Sequence, residues 1–181
     1  ETFQTLQNNI RSFKAVRAWN LGIGAECKLQ RFNENAFSSM SSFLPSTVET
    51  WGDIKKRSEV NVQTLDLFCR DNNICNIDLL KIDTQGYEYE VLKGAINSLK
   101  KRKIRHLMLE KQLSNMYLNY SYEKIEKFLN KNDFIDKSDA IRLLEYIIEK
   151  YKLNNFYEFR NLVETINMDY ELIYRKNPYY L

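Results

Sequence analysis

Residues 1–13 place Phe3, Leu6, Ile10 and Phe13 on one helical stripe opposite polar Gln and Asn, which predicts an amphipathic helix. Val16-Arg17-Ala18-Trp19-Asn20 reads as a strand closed by a Gly22-Ile23-Gly24 turn. Lys28 to Phe32 alternates polar and apolar, as a half-exposed strand does. Residues 33–53, rich in serine with Pro45 and Gly52, read as a long loop, and Val60-Asn61-Val62 as a short strand. Thr64 has the place of an N-cap ahead of a helix holding Leu65, Leu67 and Phe68.

The clearest signal follows. Ile77-Asp78-Leu79-Leu80-Lys81-Ile82-Asp83 is a mostly apolar run ending in a carboxylate, and Thr84-Gln85-Gly86 turns the chain. Tyr87 to Leu99 then puts Val91, Leu92, Ala95, Ile96 and Leu99 on one helical face. Ile104 to Leu109 reads as the next strand, ending at Glu110, and Tyr122 to Leu129 as the next helix. Strand–helix–strand–helix order predicts a parallel sheet covered by helices, an α/β fold. Residues 139–167 read as helical and Asp169 to Arg175 as a last strand. The chain is expected to form a single domain over 1–181, with a helical insertion at about 138–167.

Composition narrows the class only moderately. With 181 residues, 44% hydrophobic and 28% charged, the chain has the makeup of a globular domain. A formal net charge of +3 is far from that of a dedicated nucleic-acid binder, so no nucleic-acid partner is expected. Cys27, Cys69 and Cys75 form no CxxC pair, which points away from a zinc site or a disulfide framework and toward a reducing, cytoplasmic compartment. No apolar run reaches the roughly 20 residues a transmembrane helix needs. The single histidine, His106, lies inside a strand with no second ligand near it in sequence, so no metal site is expected. The run Lys100-Lys101-Arg102-Lys103 reads as the solvated end of a helix, favoured there by the helix dipole.

In open parallel sheets, ligands sit beyond the C-terminal ends of strands. That rule selects Asn20, Asp83 and Glu110 and predicts that they cluster along one edge of the sheet. A carboxylate so placed can hydrogen-bond a ligand amine or hydroxyl, or take a proton from a substrate hydroxyl. Gly86 would let the turn approach a ligand closely. Glu88, in the first helical turn, either faces the crevice or complements the helix dipole.

The run Asp78-Leu79-Leu80-Lys81-Ile82-Asp83-Thr84-Gln85-Gly86-Tyr87-Glu88, continued by Glu90-Val91-Leu92-Lys93-Gly94-Ala95, resembles the signature of FkbM-type methyltransferases. Asn20-Leu21-Gly22-Ile23-Gly24, Ser41-Ser42-Phe43-Leu44 and Leu109-Glu110 resemble further segments of that family, over roughly residues 1–135. Gly22 stands where the family usually has alanine. The resemblance implies a Rossmann-like class I methyltransferase sheet and S-adenosylmethionine as methyl donor. It implies methyl transfer to oxygen on a sugar or other secondary metabolite, hence a small-molecule or glycan acceptor. Carried over by position, Asn20 would lie at the adenine end of the cofactor, with Asp83, Gln85 and Gly86 at its methionine end. Asp83 and Glu110 would be the catalytic pair, and Ser41, Ser42 and Glu88 would line the acceptor side. The helix at 1–13 matches the one after the family's second strand, so the cofactor glycine loop and the ribose-binding carboxylate are expected upstream of Glu1, and the sheet lacks its first strands. Two other readings stay open on the residues alone: a different nucleotide-cofactor enzyme, or a non-catalytic scaffold or binding domain. The acceptor and the oligomeric state carry no readable code.

Overall fold

The computed structural model describes residues 2–47, 52–110, 116–136 and 172–176. Helix α1 spans Thr2–Ile10, followed by strands β1 (Gly22–Ile23), β2 (Lys28–Asn35) and β3 (Ile54–Gln63). Helix α2 (Leu65–Asp71) leads to β4 (Ile77–Ile82), then α3 (Glu88–Lys93), α4 (Ile96–Lys100) and β5 (Ile104–Leu109). Helix α5 (Tyr122–Lys131) and strands β6 (Phe134–Asp136) and β7 (Leu172–Lys176) complete the described elements. The helix expected over 139–167 lies outside the described residues.

The fold is mixed α/β, with two sheets where one was expected. One has the order β1-β3-β2, the other β4-β5-β7-β6. Strands β4 and β5 are parallel neighbours, as the strand–helix–strand pattern predicts, with Ile82 opposite Leu109 at their C-terminal ends. β7 runs antiparallel between β5 and β6. β5 is buried at all positions but Arg105, as a central strand covered on both faces must be.

The core lies between β5 and the helices that follow the turn at 84–87. Leu92, Ala95, Leu99, Ile104, Leu107, Leu109, Ile125, Leu129 and Phe134 are essentially inaccessible to solvent. His106 is also buried, with Nδ1 3.0 Å from the Asp78 carbonyl oxygen, a core histidine tied to the neighbouring strand. The basic run forms the end of α4 and the turn into β5, where Arg105 pairs with Asp78 at 3.2 Å.

Three local expectations change. Val16–Asn20 forms no strand; the pairing residues are Gly22 and Ile23, parallel to Val62 and Gln63. A Cβ on Gly22 would lie 2.8 Å from the Phe43 ring, so glycine there lets that ring pack against the strand. β3 is ten residues long because Lys56 and Arg57 continue its pairing with β2 on exposed, polar positions that hide the alternation, and Ile54 pairs with Asn35 beyond a bulge at Lys55. The helix expected over Tyr87–Leu99 breaks into α3 and α4 at Gly94. A Cβ on Gly94 would sit 2.0 Å from the Gly24 carbonyl oxygen, so this corner closes directly onto the backbone after β1.

That corner also joins the two sheets. The Asp66 backbone N–H, at the start of α2, donates to the Gly94 carbonyl at 3.0 Å. The Asp66 carboxylate in turn accepts from the backbone N–H groups of Asn97 and Ser98, both at 2.8 Å. Thr64 caps α2 as predicted, its Oγ1 accepting from Leu67 N at 3.1 Å. By contrast, α1 buries none of its residues; Leu6 of its apolar stripe is exposed, as is Phe13 beyond its end. Among the described residues no helix is long and apolar enough to cross a membrane.

Candidate functional site

The turn after β4 is built so that its side chains are held from several directions. Gln85 has φ of +51° and Gly86 of +92°. The second value lies where only glycine is comfortable, and the Tyr117 side chain fills the space beside it, with ring atoms 3.0–3.1 Å from where a Cβ would be. Glu88 reaches back under the turn. Its Oε1 accepts from Thr84 N, Thr84 Oγ1 and Gly86 N, each at 3.1 Å. Glu88 has no exposed surface, and its Oε2 is buried without a hydrogen-bond partner. Burial pushes its carboxyl above the usual range, against the backbone N–H groups of Glu88, Thr84 and Gly86, which hold it down. Glu88 therefore points into the turn instead of the crevice.

Tyr87 fastens this turn to the other sheet. Its hydroxyl donates to Gln30 Oε1 of β2 at 2.8 Å, and its ring packs on Phe43 with centroids 5.0 Å apart. The Gly-Tyr-Glu run thus has three distinct local jobs: a left-handed backbone, an inter-sheet anchor and a buried staple.

Asp83 and Glu110 lie together at the C-terminal ends of β4 and β5, as the strand-end rule requires. Gln85 bridges them, its Nε2 donating to Asp83 Oδ1 at 3.1 Å and to Glu110 Oε2 at 2.8 Å. Lys81 Nζ lies 2.9 Å from Asp83 Oδ2, the Asp83 side chain keeping 30% of its surface open to solvent. Partial burial raises the Asp83 pKa, but hydrogen bonding with Glu110, Lys81 and Gln85 outweighs it and holds the carboxyl below the usual range. The site thus presents a solvent-facing Asp83 carboxyl, biased toward its ionised form and held on both oxygens.

The serine segment closes over the turn. Ser42, 2% exposed, donates from Oγ to the Gln85 carbonyl at 2.7 Å and accepts from Leu44 N at 3.0 Å. Ser41 Oγ accepts from Asn35 N at 3.1 Å. Ser42 also bridges to Asn33 on the edge of β2, and Ser46 to Tyr117. Asn20 stands apart from this group. It is exposed and precedes β1 instead of ending a strand, and no hydrogen bond or ion pair among the described residues joins it to the carboxyl pair.

Sequence reasoning missed Tyr117. It is buried, and its hydroxyl lies 3.2 Å from both Gln85 Oε1 and the Met40 carbonyl oxygen. Burial, with the nearby charges of Glu110, Glu88 and Asp83, pushes the phenol up to about 12, so it is a hydrogen-bond donor at ordinary pH. Its only sequence signal is an aromatic residue a few positions beyond Leu109-Glu110.

Among the described residues no group of three or more His, Cys, Asp or Glu comes together to hold a metal ion. The chemistry on offer is that of carboxylates: accepting hydrogen bonds from an amine or hydroxyl, and taking a proton. Comparison with curated proteins and with solved structures found no match to either. Comparison with protein families matches residues 5–135 to the methyltransferase FkbM domain. That match spans the signature run, the serine segment and both strand-end carboxylates, and the chain belongs to the FkbM methyltransferase domain family.

Proposed function

We propose that the chain is part of a Rossmann-like, S-adenosylmethionine-dependent O-methyltransferase that methylates a hydroxyl of a sugar or secondary metabolite. The family match supports methyl transfer in general. The observation that carries the finer reading is the pair Asp83 and Glu110, bridged by Gln85 at the ends of two parallel strands. That is where an open α/β sheet holds its ligands.

A carboxyl pair suits the ammonium of the cofactor's methionyl end. The glycines of Gly22-Ile23-Gly24 offer no cradle for a phosphate-free nucleoside: Cβ positions there meet Phe43, Val62 and Tyr87, and Gly24 N donates to Gln63 O. The described residues therefore fit one end of the cofactor. Asn20 enters the adenine side through the family resemblance. Both sheets leave an unpaired edge among the described residues, β4 in one and β1 in the other. Two further strands joining those edges would give a single sheet and supply the missing cofactor contacts, in line with the expected absence of the first strands.

When bound, S-adenosylmethionine supplies an electrophilic methyl group on a sulfonium sulfur. Asp83 would accept the hydrogen bond of the acceptor hydroxyl and align its oxygen, and would take its proton as the oxygen–methyl bond forms and the methyl–sulfur bond breaks, the electron pair leaving on sulfur. Glu110 and Lys81 keep that carboxylate in place, and Glu88 holds the turn on which it stands. Ser41 and Ser42 border the acceptor side by fixing the loop over the turn. Transfer of labelled methyl from S-adenosylmethionine to a panel of sugars, phenols and amines tests this reading. Products on hydroxyl acceptors are expected; products on amines alone would overturn it.

A further inference from the structure

We propose that Tyr117 is a positioning residue for the carboxyl pair, acting through Gln85 to hold Asp83 and Glu110 in one arrangement. The inference rests on the reading of that pair as the reaction centre. Its basis is the way Gln85 is held. Both hydrogens of its Nε2 are engaged, one by Asp83 and one by Glu110. The amide can stand between the carboxyls only if its Oε1 faces away from them, and that oxygen lies 3.2 Å from the Tyr117 hydroxyl. Its backbone carbonyl is held by Ser42 Oγ at 2.7 Å, and its own φ of +51° is a conformation a non-glycine side chain keeps only under restraint.

Tyr117 is itself fixed. Its ring lies against Gly86, and the segment around it pairs with the serine loop through Thr47 N to Met116 O at 3.0 Å and Leu118 N to Pro45 O at 2.9 Å. The chain of contacts runs from a buried phenol, through one amide, to two carboxyls. A neutral amide donating to both oxygens offsets the repulsion of two acidic groups at neighbouring strand ends. Lys81 on β4 pairs with Asp83, and Asp83 and Glu110 face each other, while the charge of Glu88 on α3 acts on the Tyr117 phenol.

Removing only the hydroxyl, as in Tyr117→Phe, leaves the ring against Gly86 and frees the Gln85 amide to turn. Asp83 then loses a donor that favours its ionised form, so its titration moves upward. One hydrogen bond of ordinary strength corresponds to about half a pH unit to one unit. Two readouts follow this. Carbon-13 NMR titration of the Asp83 and Glu110 carboxyls, on the chain itself, should show the rise. The acid limb of the methyl-transfer pH profile, in the active protein, should move the same way. Tyr117→Phe is then repeated in a Gln85→Leu background, where the link is already cut. No further movement is expected there.

An unchanged titration in Tyr117→Phe would overturn the proposal. So would an equal shift in the Gln85→Leu background, since the phenol would then act on the carboxyls without the amide. Absence of methyl transfer by the unaltered protein would defeat the functional reading alone, and the NMR titration would still decide whether Tyr117 sets the pair.

Discussion

Replacing Glu88 with alanine removes the one oxygen that gathers the turn after β4. Oε1 accepts three hydrogen bonds at 3.1 Å, from Thr84 N, Thr84 Oγ1 and Gly86 N. Thr84 is half-buried, and its groups recover some of the loss by bonding water; Gly86 is buried and its N–H does not. An orphaned buried donor costs about 1–3 kcal/mol, and hydrogen bonds to a charged group contribute about 1.5–3 kcal/mol each. Against this stands the relief of an unpartnered carboxylate oxygen. The net loss is expected at about 2–4 kcal/mol, or a fall in melting temperature of roughly 5–15 °C for a chain of this size. Glu88→Gln keeps the shape and the accepting oxygen and should cost less than about 1.5 kcal/mol. The pH dependence separates the two further. Burial raises the folded-state pKa of Glu88 above its ordinary 4.5, so the fold prefers the protonated acid. Its contribution is complete below 4.5 and is lost as pH rises through the folded value, where the native state holds the proton longer. The unaltered protein should therefore lose stability across that window, and the glutamine variant should lack this component. Thermal unfolding followed by circular dichroism over an acid-to-neutral pH series measures both. A Glu88→Ala protein within about 0.5 kcal/mol of the parent, the range of an ordinary surface change, would refute the staple.

Further tests address the glycines and the cofactor. Gly86→Ala puts a side chain at φ of +92° and against the Tyr117 ring, and should lower stability by about 1–2 kcal/mol in urea denaturation. Gly94→Ala places a methyl 2.0 Å from the Gly24 carbonyl oxygen, where both neighbours are backbone. The corner must move, and a loss of about 1–3 kcal/mol or more is expected by the same measurement, whereas a neutral result would mean that α3 and α4 do not close onto β1. Calorimetric titration of this chain alone with S-adenosylmethionine should show binding weaker than about 1 mM, because the proposed site offers partners to only one end of that cofactor. Micromolar one-to-one binding would place the whole cofactor site within these residues.

The signature run was the most legible part of the chain because its physics is local. An apolar strand ending in a carboxylate, a glycine turn and a helical stripe are all set by neighbouring residues, and they place Asp83 and Glu110 side by side on parallel strands. The Thr64 cap was readable for the same reason. What stayed hidden depends on partners far along the chain. Tyr117 meets Gln85 across 32 residues, and no periodicity announces such a contact. The break at Gly94 is caused by Gly24, which the helical stripe through Ala95 and Leu99 cannot reveal. Val16–Asn20 has the residue types of a strand yet finds no pairing partner among the described residues, while Gly22-Ile23, a two-residue stretch opened by a poor strand former, pairs with β3, the glycine leaving room for the Phe43 ring. The polar stretch of β3 is held by main-chain pairing with β2 and by contacts of Lys56 and Ser58 with the Glu34 carboxylate, not by burial, so its side chains carry no apolar alternation to read.

On the proposed reading, the strand-end carboxylate Asp83 carries methyl transfer. The direct measurement is labelled-methyl transfer from S-adenosylmethionine to a hydroxyl acceptor by the active protein and by its Asp83→Asn variant, with folding checked by circular dichroism. The Asp83 side chain is partly open to solvent and contributes little packing, so the fold should survive. Loss of a positioned base lowers the rate about 100- to 10,000-fold. A folded Asp83→Asn protein that transfers methyl at near the parent rate would contradict the account.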